Sequence, residues 1–181
     1  MKINTPQELL KFMDDIEYAW MDKKGNFHTE IVPEMYTKYS LMSPEEVLKY
    51  KKGVCTDQSE FERDWFLKNE YEIKTIYEMV KLDYDNVYPS HSFLVYKDND
   101  YWCWFENSDF NNRGIHKFNT LDELLNYQYK KYVEFLNTFN ITNDELEKII
   151  VTEYDKPEEH VTAEEYLNHV IDSKLLIIKK I

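Results

Sequence analysis

Gly53-Val54-Cys55-Thr56-Asp57 decides how the chain folds, because it sets a thiol where a glycine break gives way to a helix. From Thr56 to about Asn69 there is neither Gly nor Pro, and Phe61 and Trp65 stand four residues apart, as neighbours on one helix face do. This predicts a helix whose first turn contains or directly follows Cys55, with backbone N–H groups aimed at the sulfur. Upstream, Ser43-Pro44-Glu45-Glu46 has the capping-box pattern for a short helix to about Tyr50, ended by Gly53. Further upstream, Asn4-Thr5-Pro6-Gln7-Glu8 starts a first helix, and Leu9, Phe12, Met13, Ile16 and Trp20 carry it toward Lys24-Gly25-Asn26.

Downstream the period changes. Ile73, Thr75, Tyr77 and Met79 alternate as a strand does, and Asp83-Tyr84-Asp85-Asn86 ends it. His91 to Tyr96 and Tyr101 to Glu106 are two β-prone runs separated by Lys97-Asp98-Asn99-Asp100, which reads as a hairpin. A turn at Asp98-Asn99 pairs Tyr96 with Tyr101, Leu94 with Cys103, Phe93 with Trp104 and His91 with Glu106. Directly opposed Cβ atoms lie roughly 4.5–5.5 Å apart, within reach of a carboxylate–imidazole hydrogen bond. In that register His91, Phe93, Val95, Trp102, Trp104 and Glu106 share a face and Cys103 points to the other, which makes Cys55 the candidate nucleophile. Beyond Gly114, Asn119-Thr120-Leu121-Asp122-Glu123 opens a long helix with Leu121, Leu124, Leu125, Tyr132 and Phe135 as its buried stripe. Ile149 to Thr152 suits a strand, Lys156-Pro157-Glu158-Glu159 an exposed loop, and Thr162-Ala163-Glu164-Glu165 caps a last helix over Glu164 to Ile171.

Cysteine chemistry needs all three groups. A free thiol titrates near about 8.5, and a helix N-terminus or an imidazolium is what makes it reactive at neutral pH. His91 is placed to take the thiol proton and return it to a leaving amine, and Glu106 to hold the imidazole in the required tautomer. Asp109, three residues on, competes with Glu106 for that task. The Cys55 backbone N–H is the natural first donor to an oxyanion, with Trp20 the candidate for a second. Taken singly, Cys55 reads as a small buried residue and His91 as a sheet histidine; Gly53, Asp57 and the order Cys–His–Glu favour catalysis.

Gly53-Val54-Cys55-Thr56-Asp57, His91-Ser92-Phe93-Leu94-Val95-Tyr96 and Trp102-Cys103-Trp104-Phe105-Glu106 together resemble the transglutaminase-like superfamily of papain-like thiol enzymes. The family pattern is Gly-x-Cys-x-Asp, a His leading a hydrophobic strand, and Trp-x-x-apolar-Asp; the match covers about residues 50–110. The resemblance implies an α+β, papain-like fold: N-terminal helices, the nucleophile at a helix start packed on an antiparallel sheet, and C-terminal helices. It implies a catalytic set of Cys55, His91 and Glu106. Two departures stand out: Glu106 replaces the usual Asp, and Ser92-Phe93 follows the histidine where the family often has an aromatic. The expected activity is a cysteine peptidase or amidase acting on a protein or peptide, with amine acceptors (transglutaminase or deamidase chemistry) as the alternative. A catalytically silent interaction module of the same fold is a further alternative, as is a carbohydrate-binding domain built on the aromatic hairpin.

The bulk numbers fit. At 181 residues the chain is expected to form one domain, residues 1–181, with a helical C-terminal elaboration over about 119–181. No repeat or low-complexity linker divides it. A net charge of −13, from 22 Lys+Arg against 35 Asp+Glu, argues against nucleic acid and anionic membranes as partners. No stretch approaches the roughly 18 apolar residues of a membrane helix, and the first residues lack a secretion signal. With only two cysteines, reduced thiols in a cytoplasmic setting are expected. Asn, Lys, Ile, Tyr and Glu usage suggests an AT-rich bacterial gene. His28, His116, His160 and His169 show no metal-ligand spacing, the Asp83–Asn86 run lacks the rest of a calcium loop, and three glycines make no phosphate cradle, so no cofactor or metal is expected.

Overall fold

In the computed structural model of the chain, residues 3–32, 34–81 and 89–176 are described. The elements run α1 (Pro6–Met13), β1 (Trp20–Met21), β2 (Phe27–His28), α2 (Met35–Lys38), α3 (Pro44–Tyr50), α4 (Cys55–Lys68), β3 (Ile73–Val80), β4 (His91–Asp98), β5 (Tyr101–Glu106) and β6 (Gly114–Phe118). They continue with α5 (Leu121–Leu136), α6 (Asn143–Leu146), β7 (Ile149–Tyr154), α7 (Ala163–Ile171) and β8 (Lys174–Leu175). Six strands form one antiparallel sheet in the order β6-β5-β4-β3-β7-β8, so the protein is α+β and its architecture is consistent with a transglutaminase-like fold.

Helices cover both sheet faces. Leu94, Tyr96, Cys103 and Phe105 pack against Phe61 and Phe66 of α4, Leu9 and Met13 of α1, and Val47 of α3. On the opposite face Ile76, Phe93, Val95, Trp104 and Val151 meet Leu124, Leu125, Tyr129, Tyr132 and Leu136 of α5. A third cluster joins Trp20, Tyr39, Leu41 and Val54 to Tyr77, Tyr154 and Tyr166 and Val170 of α7. Each large side chain removed from water in these layers contributes roughly 1.5–3 kcal/mol. Arg63 fastens α4 to the sheet: it pairs with Glu60, bonds the Thr75 hydroxyl and donates to the Tyr154 carbonyl at 3.2 Å.

The capping signals hold at Thr5, Ser43, Thr120 and Thr162, whose hydroxyls each accept a backbone N–H three residues on. Three expectations change. The first helix stops at Met13, because Asp14 and Asp15 oppose the negative end of its dipole and Trp20 is taken up by a strand. Asp22 Oδ1 then accepts the Lys24 and Asn26 N–H groups at 2.8 and 2.9 Å, and Gly25 supplies the positive φ of +81° that closes the turn. Phe135 is 43 % exposed, whereas Gln128, Tyr129 and Leu136 lie on the buried stripe of α5. The strand expected at Ile149 to Thr152 forms as β7, paired to β3 inside the sheet, with β8 beyond it. The Asp83–Asn86 turn lies outside the described residues, and no described helix is long and apolar enough to cross a membrane.

The third change concerns the hairpin. Asp98 pairs with Tyr101, Lys97 with Trp102, Tyr96 with Cys103, Val95 with Trp104 and Leu94 with Phe105. The turn therefore sits at Asn99-Asp100, where Asn99 takes a φ of +57°, and the register is shifted by two residues from the one expected. A two-residue shift preserves the faces, so His91 and Glu106 keep the parity of Phe93, Val95 and Trp104 and Cys103 remains on the other side.

Glu78, directly across from His91 on β3, is buried without exposure and accepts a hydrogen bond from Gln128 of α5. Burial pushes its carboxyl up to about 8, against pulls downward from His91 and Gln128. From the usual value of 4.5 up to about 8 the folded protein holds a proton that the unfolded chain has released, so stability falls as pH rises through that window. Glu78→Gln should remove this contribution: the difference between urea midpoints at pH 5 and pH 8.5 shrinks relative to wild type. An unchanged difference would place the proton elsewhere.

Candidate active site

Cys55 is the first residue of α4, so its N–H is among those with no partner inside the helix. The preceding N-cap, Val54, has no side chain that can cap. Asp57 does that work from inside the first turn: Oδ2 accepts the Val54 N–H at 3.0 Å, and Oδ1 accepts the Met42 N–H at 2.9 Å and the Tyr39 hydroxyl at 2.8 Å. Tyr39 also bonds the Thr56 hydroxyl at 2.8 Å. Complete burial pushes the Asp57 carboxyl up to about 7, with the three donors pulling against it. A Cβ at Gly53 would lie 3.0 Å from the Asp57 Cβ, which is why this spacing demands glycine. The Gly53 carbonyl accepts from Gln58 Nε2 at 2.8 Å, and Gln58 Oε1 accepts in turn from Asn107, next to Glu106. One chain of hydrogen bonds thus ties the loop before the thiol to the end of β5.

His91 and Glu106 meet at the same end of the sheet. His91 Nε2 and Glu106 Oε2 are 2.8 Å apart, with the imidazole 15 % and the carboxylate 1 % exposed. In the observed register they are diagonal neighbours, since continuing the pairing sets Glu106 across from Phe93. Diagonal positions are roughly 7–8 Å apart, farther than direct ones, and the extra methylene of Glu over Asp spans that gap. Glu106 Oε1 is held by the Asp109 N–H at 2.8 Å and the Ser108 hydroxyl at 3.2 Å. Asp109 is the rival set aside: its own carboxylate accepts from Asn111 and Asn112, and its backbone steadies Glu106.

The Cys55 side chain is the other group that acts on the imidazole. Burial disfavours the imidazolium, but the charge and hydrogen bonds of Glu106 and Cys55 outweigh it and hold His91 well above the ordinary histidine range. Cys55 itself is 8 % exposed. Two further carboxyls face this group. Glu62, two turns along α4, is raised well above the ordinary range by burial and then by Glu106, and Glu78 is raised as described, so burial favours the neutral form of each. Glu106 is therefore the carboxyl that holds the ring.

A tyrosine completes the surroundings. Tyr18 packs against the cluster that holds Val54, and its hydroxyl interacts with Cys55. Trp20 is deeply buried near Val54, and its indole N–H donates to the Glu30 carbonyl at 2.9 Å, so it has no proton to offer a substrate. No group of metal-ligating side chains occurs among the described residues. A thiol, an imidazole between it and a carboxylate, and a helix N-terminus make an arrangement able to attack a carbonyl carbon and return a proton to a leaving group.

Tyr18, Glu62, Glu78, Gln58 and Asn107 escaped the sequence reading. Gln58 and Glu62 stand three and seven residues beyond Cys55, on its helix face, and polar residues repeating at that spacing were a usable signal. Tyr18 and Glu78 arrive by tertiary packing and left none.

Asp57→Ala would strand the buried Met42 and Val54 N–H groups, each costing about 1–3 kcal/mol. The expected loss is therefore on the order of 3 kcal/mol in urea denaturation, with Cys55 labelling by thiol reagents losing its pH dependence. Stability within a few tenths of a kcal/mol of wild type would contradict this account of the cap.

A family model described as a transglutaminase-like domain matches residues 1–105. The match takes in the N-terminal helices along with Cys55 and His91, and it stops one residue before Glu106. No curated protein matches the chain. Since more than half of the chain is covered, and the fold and motif spacing agree with it, the chain belongs to the transglutaminase-like domain family.

Proposed function

We propose that the protein is a thiol-dependent acyl-transfer enzyme, foremost a cysteine peptidase or amidase acting on a protein or peptide. Cys55 is the nucleophile, His91 the acid/base and Glu106 the group that orients the imidazole. The observation that carries this is the imidazole bridging Cys55 and Glu106, with Nε2 2.8 Å from the carboxylate. With Nε2 so engaged, Nδ1 is the nitrogen that faces sulfur. The thiol proton passes to the imidazole and the sulfur attacks the amide carbon, forming the C–S bond. The carbonyl electron pair moves to oxygen, where the Cys55 N–H at the helix start can receive it. Collapse expels the amine, which takes the proton from His91 and leaves a thioester. Water, activated by the same imidazole, hydrolyses the thioester; an amine entering instead gives transamidation.

His91 is held above the ordinary histidine range, which favours an imidazolium beside the thiol, so Cys55 should react with iodoacetamide at pH 6, with the site located by mass spectrometry. His91→Ala should slow that labelling sharply, and Glu106→Gln should slow it by about tenfold, the size of one pKa unit. Labelling of Cys55 only above pH 8, indifferent to His91, would overturn the enzyme and leave a silent interaction module of the same fold.

A further inference from the structure

We infer that the Tyr18 hydroxyl is the second hydrogen-bond donor to the oxyanion formed at Cys55, a role that rests on the acyl-transfer reading above. Tetrahedral intermediates of acyl transfer are stabilised by two fixed donors, and α4 supplies one, the Cys55 N–H. The buried indole that might have served, Trp20, is spent on the Glu30 carbonyl. Tyr18 packs against the cluster that holds Val54, the residue before the thiol, and its hydroxyl interacts with both the side chain and the backbone of Cys55.

The tyrosine is delivered from a fixed platform. The Glu17 N–H donates to the Lys51 carbonyl at 2.9 Å and the Gly53 N–H to the Glu17 carbonyl at 3.1 Å, forming a parallel bridge between Glu17 and Lys52. The Lys52 ammonium and the Glu17 carboxylate pair beside it. Ile16 and Ala19 are buried on either side. The backbone of residue 17 is thus clamped to the loop that carries the thiol, and Tyr18 follows directly.

Burial first, then the neighbouring Cys55 and Asp57, raise the phenol well above the ordinary tyrosine range, so it keeps its proton as a donor must. A substrate carbonyl oxygen entering between the phenol and the Cys55 N–H replaces their mutual contact and accepts from both. As sulfur bonds to carbon the C=O electron pair settles on that oxygen. The phenol shares its proton without giving it up, and the amine leaves with the proton from His91. A hydroxyl that merely plugged the position would have the opposite effect, because its removal would open the site.

Two reagents separate these roles. Acylation by p-nitrophenyl acetate passes through an oxyanion, whereas alkylation by iodoacetamide is a displacement at a saturated carbon with none. Both rates are measured on the full chain as wild type, Tyr18→Phe and Cys55→Ala. The expected result is that Tyr18→Phe slows acylation by about 100-fold while Cys55 alkylation changes by less than about threefold, which also reports an intact fold. Acylation unchanged in Tyr18→Phe, both reactions slowed equally, or both accelerated would each overturn the donor role. Wild type that is not alkylated at Cys55, or whose esterase activity survives Cys55→Ala, overturns the acyl-transfer reading itself, and the role of Tyr18 with it.

Discussion

A single buried carboxylate holds the thiol end of this molecule together. Asp57 accepts hydrogen bonds from three donors on two segments, the Tyr39 phenol and the Met42 N–H on one and the Val54 N–H on the other, and it lies at the positive end of α4. Remove it and the start of α4 loses its cap and the approach of residues 39–42 to the helix loses its anchor. The sulfur, two residues away, has the position it has because that carboxylate is satisfied from both sides.

The imidazole is governed by contrast rather than by one bond. Carboxyls from α4, β3 and β5 act on His91; burial raises Glu62 and Glu78 toward their neutral forms, and Glu106 is the one that hydrogen-bonds the ring. Glu106 in place of the family's shorter Asp follows from the diagonal register of β4 and β5. A direct pair would suit the shorter arm; the diagonal needs the longer one.

How much of this was legible depends on the range of the interaction. The helix behind Cys55, the four capping hydroxyls and the order of thiol, imidazole and carboxylate are local, and the chain states them plainly. The hairpin turn sits one residue later than expected, which slips the pairing by two, because Asp98, Asn99 and Asp100 are all turn formers and only Asn99 of them adopts the left-handed backbone. Since a two-residue slip leaves each side chain on its face, side-chain alternation cannot detect it. Trp20 fitted a helical period from Leu9 onward, but the turn closed by Asp22 and Gly25 takes it into a strand. Tyr18 and Glu78 reach the site only through packing, and no spacing rule joins them to Cys55.

Cys103 is paired with Tyr96, five residues along β4 from His91, while Cys55 is a neighbour of His91 itself. Five strand residues span roughly 17 Å, and a disulfide needs its Cα atoms within about 7 Å. The two thiols therefore cannot protect one another. If an oxidant converts Cys55 to a sulfenic acid, no resolving cysteine stands within reach, and recovery depends on a small thiol supplied from outside the chain.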